Sequence, residues 1–241
     1  MTYRPREFWQ ERLAGQFDLR GSGETALSLA YNRACYRLRS EVLARALRDQ
    51  GFDPRARAVL DVGCGTGFFT AWYLERGADV TGMDIAPISV ETLGVRHPRS
   101  RFILADVGAS PIEGRFALVN AMDVLYHITE DARWEAAVSH LAAAVEDGGL
   151  LVVSDAFSEM DRLADHNRMR PLARYRALLN AAGMQLAGLH PTHVLLNREL
   201  GLLRFLNRAP ALLLALDRLL LPLGAGRGPR TNKILIARRV R

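Results

Sequence analysis

The 241-residue sequence predicts an α/β fold, a doubly wound and mostly parallel sheet of seven strands with helices on both faces. Two observations carry that expectation. Short β-rich runs alternate with stretches of helical periodicity, the order that right-handed β-helix-β crossovers require. A glycine-rich bend, VGCGTG at 62–67, follows the first of those runs, at the carboxyl end of a strand where such sheets bind their ligands.

The runs AVLDV at 58–62, DVTGMD at 79–84, RFILAD at 101–106, FALVNAM at 116–122 and GLLVVSD at 149–155 read as strands. Between them, 67–76 reads as a helix stopped by Gly77, 87–95 as a second, and 131–146 as a long third ended by the DGG at 147–149. Upstream, 5–14 and 24–50 are helical, with Leu27, Tyr31, Ala34, Tyr36, Leu38 and Leu43 recurring near helical spacing. Residues 1–50 are expected to form a helical cap on one domain running from 51 to 241. Downstream, 171–184 is a helix ended by Gly183 that feeds a strand near 185–196, and NKILIARRV at 232–240 closes the sheet.

Between the last two strands lies a leucine-rich insertion at 198–230. Arg204, Arg208, Asp217 and Arg218 interrupt it, so no uncharged run approaches the roughly 20 apolar residues of a membrane span. Leu212, Leu213, Leu216, Leu219 and Leu220 fall on one helical face, which predicts a helix packed on a core. A lid over an apolar substrate, a dimer interface, and a peripheral membrane contact through 198–223 are the other readings that this leucine density opens.

An apolar fraction of 49% with 24% charged residues excludes a disordered or fibrous chain. The net charge is +6, but the arginines are scattered and Lys233 is the sole lysine, so no clustered face for nucleic acid is expected. Cys35 and Cys64 have neither disulfide nor metal-ligand spacing. The opening MTYRPREFWQERL lacks the apolar stretch of a signal peptide, and a cytoplasmic monomer or homodimer is expected.

The bend itself spells G-x-G-x-G at Gly63, Gly65 and Gly67, with Phe68 where a dinucleotide-binding turn would carry its third glycine. No G-K-[ST] follows, so it is not a P-loop. With Asp61 ahead of it, VLDVGCGTG resembles the first motif of the class I S-adenosylmethionine-dependent methyltransferases, and the resemblance runs motif by motif over about 55–157. It implies a Rossmann-like fold of the small-molecule type, with S-adenosylmethionine as donor and S-adenosylhomocysteine as product.

The same resemblance distributes the roles. Asp61 would orient the methionine ammonium, with backbone near Met122 accepting from the same group, while the main chain at Gly63, Cys64, Gly65, Gly67 and Phe68 lies bare against the amino-acid moiety. Asp84, 17 residues after Gly67, ends the second strand, where its two oxygens suit a ribose cis-diol, and Ile85 would pack on the adenine. Asp106 and the Val107 amide would meet the adenine edge, and Tyr36 and Arg39 would close over the cofactor from the capping helix.

His127, in MDVLYHITED, is the candidate base for a hydroxyl acceptor; the alternative is that it packs or caps the next helix. Asp123, Tyr126, His166 and Arg170 are further candidates for the rim, and no metal site is expected. The reading is methylation of a small molecule, O-methylation favoured, with a natural product, glycan or lipid-like compound as acceptor. The alternatives are a non-catalytic cofactor-binding or assembly subunit of the same fold and, disfavoured by Phe68, a nicotinamide oxidoreductase.

Overall fold

The computed structural model describes residues 3–159, 164–197, 201–228 and 231–240. Its strands are β1 (Ala58–Val62), β2 (Asp79–Asp84), β3 (Arg101–Leu104), β4 (Phe116–Ala121), β5 (Val145–Asp155), β6 (Met184–Pro191) and β7 (Lys233–Arg239). They form one sheet in the order β3-β2-β1-β4-β5-β7-β6, with β1 to β5 parallel and β7 antiparallel to both its neighbours. The strand order reverses between β1 and β4, which opens a crevice at their carboxyl ends.

Alternation along each strand divides the core in two. Leu60, Val62, Val119, Leu151, Val153 and Leu235 face helices α5 (Asp131–Ala143) and α6 (Leu172–Ala181), where Trp134 and Tyr175 are fully buried. Val59, Leu118, Leu150, Val152, Ile234 and Ile236 face α2 (Leu29–Asp49) and α3 (Phe68–Leu74). Burial on both faces is why these strands read as continuous apolar runs. Two further helices, α1 (Pro5–Gly15) and α4 (Pro87–Arg96), pack on one another beside the crevice, where Gln10 Oε1 accepts from the Ile88 amide at 2.9 Å.

Three expectations are corrected. Helix α5 stops at Ala143 rather than Glu146, and the DGG lies inside β5, because Phe116 must pair with Val145 and its amide donates to Ala144 O at 2.9 Å. Strand β6 ends at Pro191 rather than near 196, since the Val194, Leu195 and Leu196 amides all donate to the Asp217 carboxylate, at 3.1, 2.6 and 3.0 Å. That carboxylate sits on α7 (Pro210–Leu220) and is fully buried, so it turns Leu213 and Leu214 inward against Tyr31, Ala34 and Leu38 of α2. Leu212 and Leu219, expected on the packed face, point outward instead.

The insertion also contains 3-10 helices at Gly201–Arg208 and Leu221–Leu223. Its return to the sheet is held by Lys233, a buried ammonium that donates to the carbonyls of Ala156, Gly228 and Thr231 at 3.3, 2.8 and 2.8 Å. Among the described residues no helix is long and apolar enough to cross a membrane.

Candidate active site

The glycine bend begins where β1 ends. The Gly63 and Cys64 amides donate to Met83 O on β2 at 2.7 and 3.1 Å, which bends the chain across the carboxyl end of the sheet. Gly63 has φ +67, and a Cβ there would collide with the β-branched Val124, so any side chain at this position is strained. Gly65 has φ +51, and its amide donates to Asp84 Oδ2 at 2.7 Å, so the bend and the end of β2 are fastened together.

The bend forms one wall of a groove of about 1210 Å³, counted to its open mouth. Lining it are twelve of the fourteen residues assigned from the sequence to the cofactor and the base: Tyr36, Asp61, Gly63, Cys64, Gly65, Phe68, Asp84, Ile85, Asp106, Val107, Met122 and His127. Two lie elsewhere. Gly67 (φ +86) is the residue that caps α3, with its Cβ position filled by Leu93 at 2.5 Å. Arg39 is ion-paired to Asp123 in an adjoining cavity and does not line the groove.

Each carboxylate has a fixed geometry. Asp61 accepts from Thr70 Oγ1 at 2.6 Å and from Asn120 Nδ2 at 2.7 Å, and burial pushes its carboxyl up to about 6 despite those bonds. Asp84 also has its pKa raised by burial, against the amides of Ala86 and Gly65, which favour the anion. Asp106 accepts from the Gly108 amide at 2.9 Å and pairs with Arg133. Tyr36 donates to Ser22 O at 3.0 Å and meets Phe68 edge-on, which brings the loop before α2 onto the groove.

A second cavity, of about 1510 Å³ to its mouth, adjoins the first, and Trp9, Ser22, Tyr36, Asp123 and His127 line both. His127 thus stands in the partition. Its Nδ1 lies 2.9 Å from His166 O; a carbonyl only accepts, so Nδ1 carries the proton and Nε2 keeps the lone pair. Burial among Trp9, Tyr126 and His166 lowers its pKa to about 4, so the ring is neutral near pH 7.

Asp123, with φ +59, follows β4 and turns its carboxylate into the second cavity. There it pairs with Arg39, and its Oδ1 accepts from Ser154 Oγ and Asn232 Nδ2, both at 2.8 Å. Tyr126 and His166 line the same cavity. Arg170 does not: it is buried over the Trp134 ring, bonded to Asp131 and to the carbonyls of Thr129 and Arg168. Sequence reasoning missed Trp9, Ser154, His193 and Asn232. Asn232 is a strand-edge residue with no motif around it, and Trp9 looks like any aromatic on a surface helix.

A methyltransferase-domain family model matches residues 29–189, more than half of the chain and all of β1 to β5. The chain belongs to the methyltransferase-domain family. This methyltransferase domain is 35% identical over 119 residues to the ubiquinone biosynthesis O-methyltransferase of Pseudomonas paraeruginosa, which covers 45% of the chain and 50% of that protein. It is 28% identical over 133 residues to the malonyl-acyl-carrier-protein O-methyltransferase of Serratia marcescens, covering 49% and 50%. The matched region spans about half the length of these curated relatives. Among solved structures, magnesium protoporphyrin IX methyltransferase from Synechocystis PCC 6803, with bound S-adenosylhomocysteine, superposes with a TM-score of 0.64 at 20% identity over 97% of each chain, which shows the fold.

The groove fits S-adenosylmethionine by its own chemistry. A sulfonium nucleoside carries an ammonium, a cis-diol and an adenine, and the groove offers a buried carboxylate at Asp61, another at Asp84, and an apolar slot with a polar edge at Ile85, Val107 and Asp106. Side chains are missing where the glycine main chain must be approached.

Proposed function

We propose that this methyltransferase domain binds S-adenosylmethionine in the glycine-bend groove and methylates a hydroxyl of a small molecule held in the second cavity. The single observation that carries the reading is His127, a neutral imidazole with a lone pair at Nε2, in the wall shared by the two cavities. When bound, the cofactor supplies a methyl group on a sulfonium, an electrophile that needs no further activation.

The chain's own residues do the rest. Asp61, fixed by Thr70 and Asn120, holds the ammonium end; Asp84 and Asp106 hold the ribose and the adenine edge. His127 Nε2 takes the acceptor's hydroxyl proton, and the imidazolium so formed keeps its Nδ1–H on His166 O. Trp9 and Leu13 of α1 cover the groove and exclude water from it. Holding donor and acceptor in line is worth on the order of 7 to 11 kcal/mol.

The second cavity favours a polar acceptor over a lipid-like one. Arg12, Glu24, Asn167, His193, Asn197 and Asn232 line it, whereas Leu213 and Leu214 of the insertion pack on α2. Cys35 and Cys64 are free thiols, which supports a reducing compartment such as the cytoplasm.

Titration calorimetry with S-adenosylmethionine, S-adenosylhomocysteine and NADH, followed by transfer of labelled methyl from the donor into a metabolite extract, tests the reading. Binding of the first two but not the third, with label entering a base-stable ether, is expected. Binding without transfer to any acceptor would leave the non-catalytic subunit, and binding of NADH alone would end the proposal.

A further inference from the structure

We propose that the outer face of the insertion seats on an anionic lipid surface, independently of what the two cavities bind. Helix α7 is apolar on two sides. Leu213 and Leu214 face α2, while Leu212, Leu216, Leu219 and Leu223 recur at the spacing i, i+4, i+7, i+11 on the other side. Leu212, Leu219 and Leu223 are 50, 67 and 82% exposed, and Phe205, on the preceding 3-10 helix, is 60% exposed. A helix that served only its own core would carry polar groups there.

The charge around that face names the occupant. Among the described residues 201–228 the acid is Asp217, fully buried under the 194–196 amides, while Arg204, Arg208, Arg218 and Arg227 are all exposed. Arg218 is neutralised by Glu41 on α2. Arg204, Arg208 and Arg227 are thus exposed on the same segment as the leucines, with no acid of the segment at the surface. A second copy docking through the same face would bring like charges together, because a two-fold interface is built from the same patch twice. A bilayer with anionic headgroups offers negative charge outside and hydrocarbon beneath, complementary to both features at once. Since α7 is too short to cross, it lies in the plane of the interface.

Sedimentation of the full chain with phosphatidylcholine vesicles, with and without phosphatidylglycerol, tests this. Binding to the anionic vesicles only, weakened by salt, is expected. Arg204→Gln with Arg208→Gln should lower partition roughly twenty-five-fold, at about fivefold for each arginine. Leu219→Ser with Leu223→Ser should lower it by more than about tenfold, with circular dichroism and Tm unchanged because both side chains are exposed. No binding to phosphatidylglycerol vesicles, or binding that the leucine variant leaves intact, overturns the proposal. So does a dimer in light scattering that the leucine variant converts to monomer, which would assign the face to a second copy.

Discussion

Asp61 is buried with an elevated pKa, about 6, until a cation arrives beside it. In the proposed binding mode the donor's ammonium lies beside this carboxylate and favours the anion, so donor binding would release a proton wherever the free carboxyl is protonated. Affinity for S-adenosylmethionine should therefore weaken as pH falls below about 6, by up to about tenfold per pH unit, and level off above it. Calorimetry across pH 4.5–8 reads this directly, and Asp61→Asn should bind weakly with a flat profile. His127 behaves differently: with its pKa depressed to about 4 the ring stays mostly neutral over that range. His127→Ala should lower methyl transfer roughly 10²–10⁴-fold while leaving the donor's Kd within about twofold, a split that mere packing of the ring would not produce.

The elements matter through where they end. The bend after β1 works because three consecutive decisions coincide: β1 stops at Val62, Gly63 takes φ +67, and the Met83 carbonyl on β2 collects the Gly63 and Cys64 amides. Gly63→Ala adds a methyl against Val124 and forces a residue with Cβ into the left-handed region; a loss of roughly 2 kcal/mol, read as a lower midpoint in urea, and loss of donor binding are expected. This bend was legible from the sequence because glycine spacing is a local signal. Helix α7 was not. Its leucines occupy so much of the circumference that periodicity could not choose a face, and the choice is made by Asp217, whose three amide partners lie about twenty residues upstream. The end of α5 was misjudged for a related reason: a glycine pair that would stop a helix also suits a bulged strand, and the pairing of Phe116 with Val145 selects the strand.

Across the whole molecule, buried titrating groups oppose one another. The unfolded chain binds more protons at His127 and His193, whose folded pKa values fall to about 4, so each makes stability rise with pH between about 4 and 6.5. Asp61 and Asp155, raised to about 6 by burial, bind more protons when folded and make stability fall as pH rises from about 3.8 to about 6. Removing one member exposes the balance: His193→Gln should gain on the wild type by roughly 2 to 3 kcal/mol as pH drops from about 6.5 to about 4, measured as the difference in Tm. The architecture and most of the lining of the glycine-bend groove were readable because strand periodicity, glycine spacing and strand-end acids are all local in sequence. The second cavity was not, since it is assembled from α1, α2, the end of β4, the 166–169 loop and the root of β7, which share no motif.

Lys233 gives that root an unusual chemical signature. In a chain whose other permanently cationic side chains are guanidinium groups, the one ε-amine is locked among three carbonyls where the insertion rejoins the sheet. Acylating reagents that decorate the lysines of ordinary proteins can reach this nitrogen only when the junction springs apart. The rate at which such a reagent marks position 233 is thus a clock for that opening, wound by the protein itself and readable by peptide mass without any engineered label.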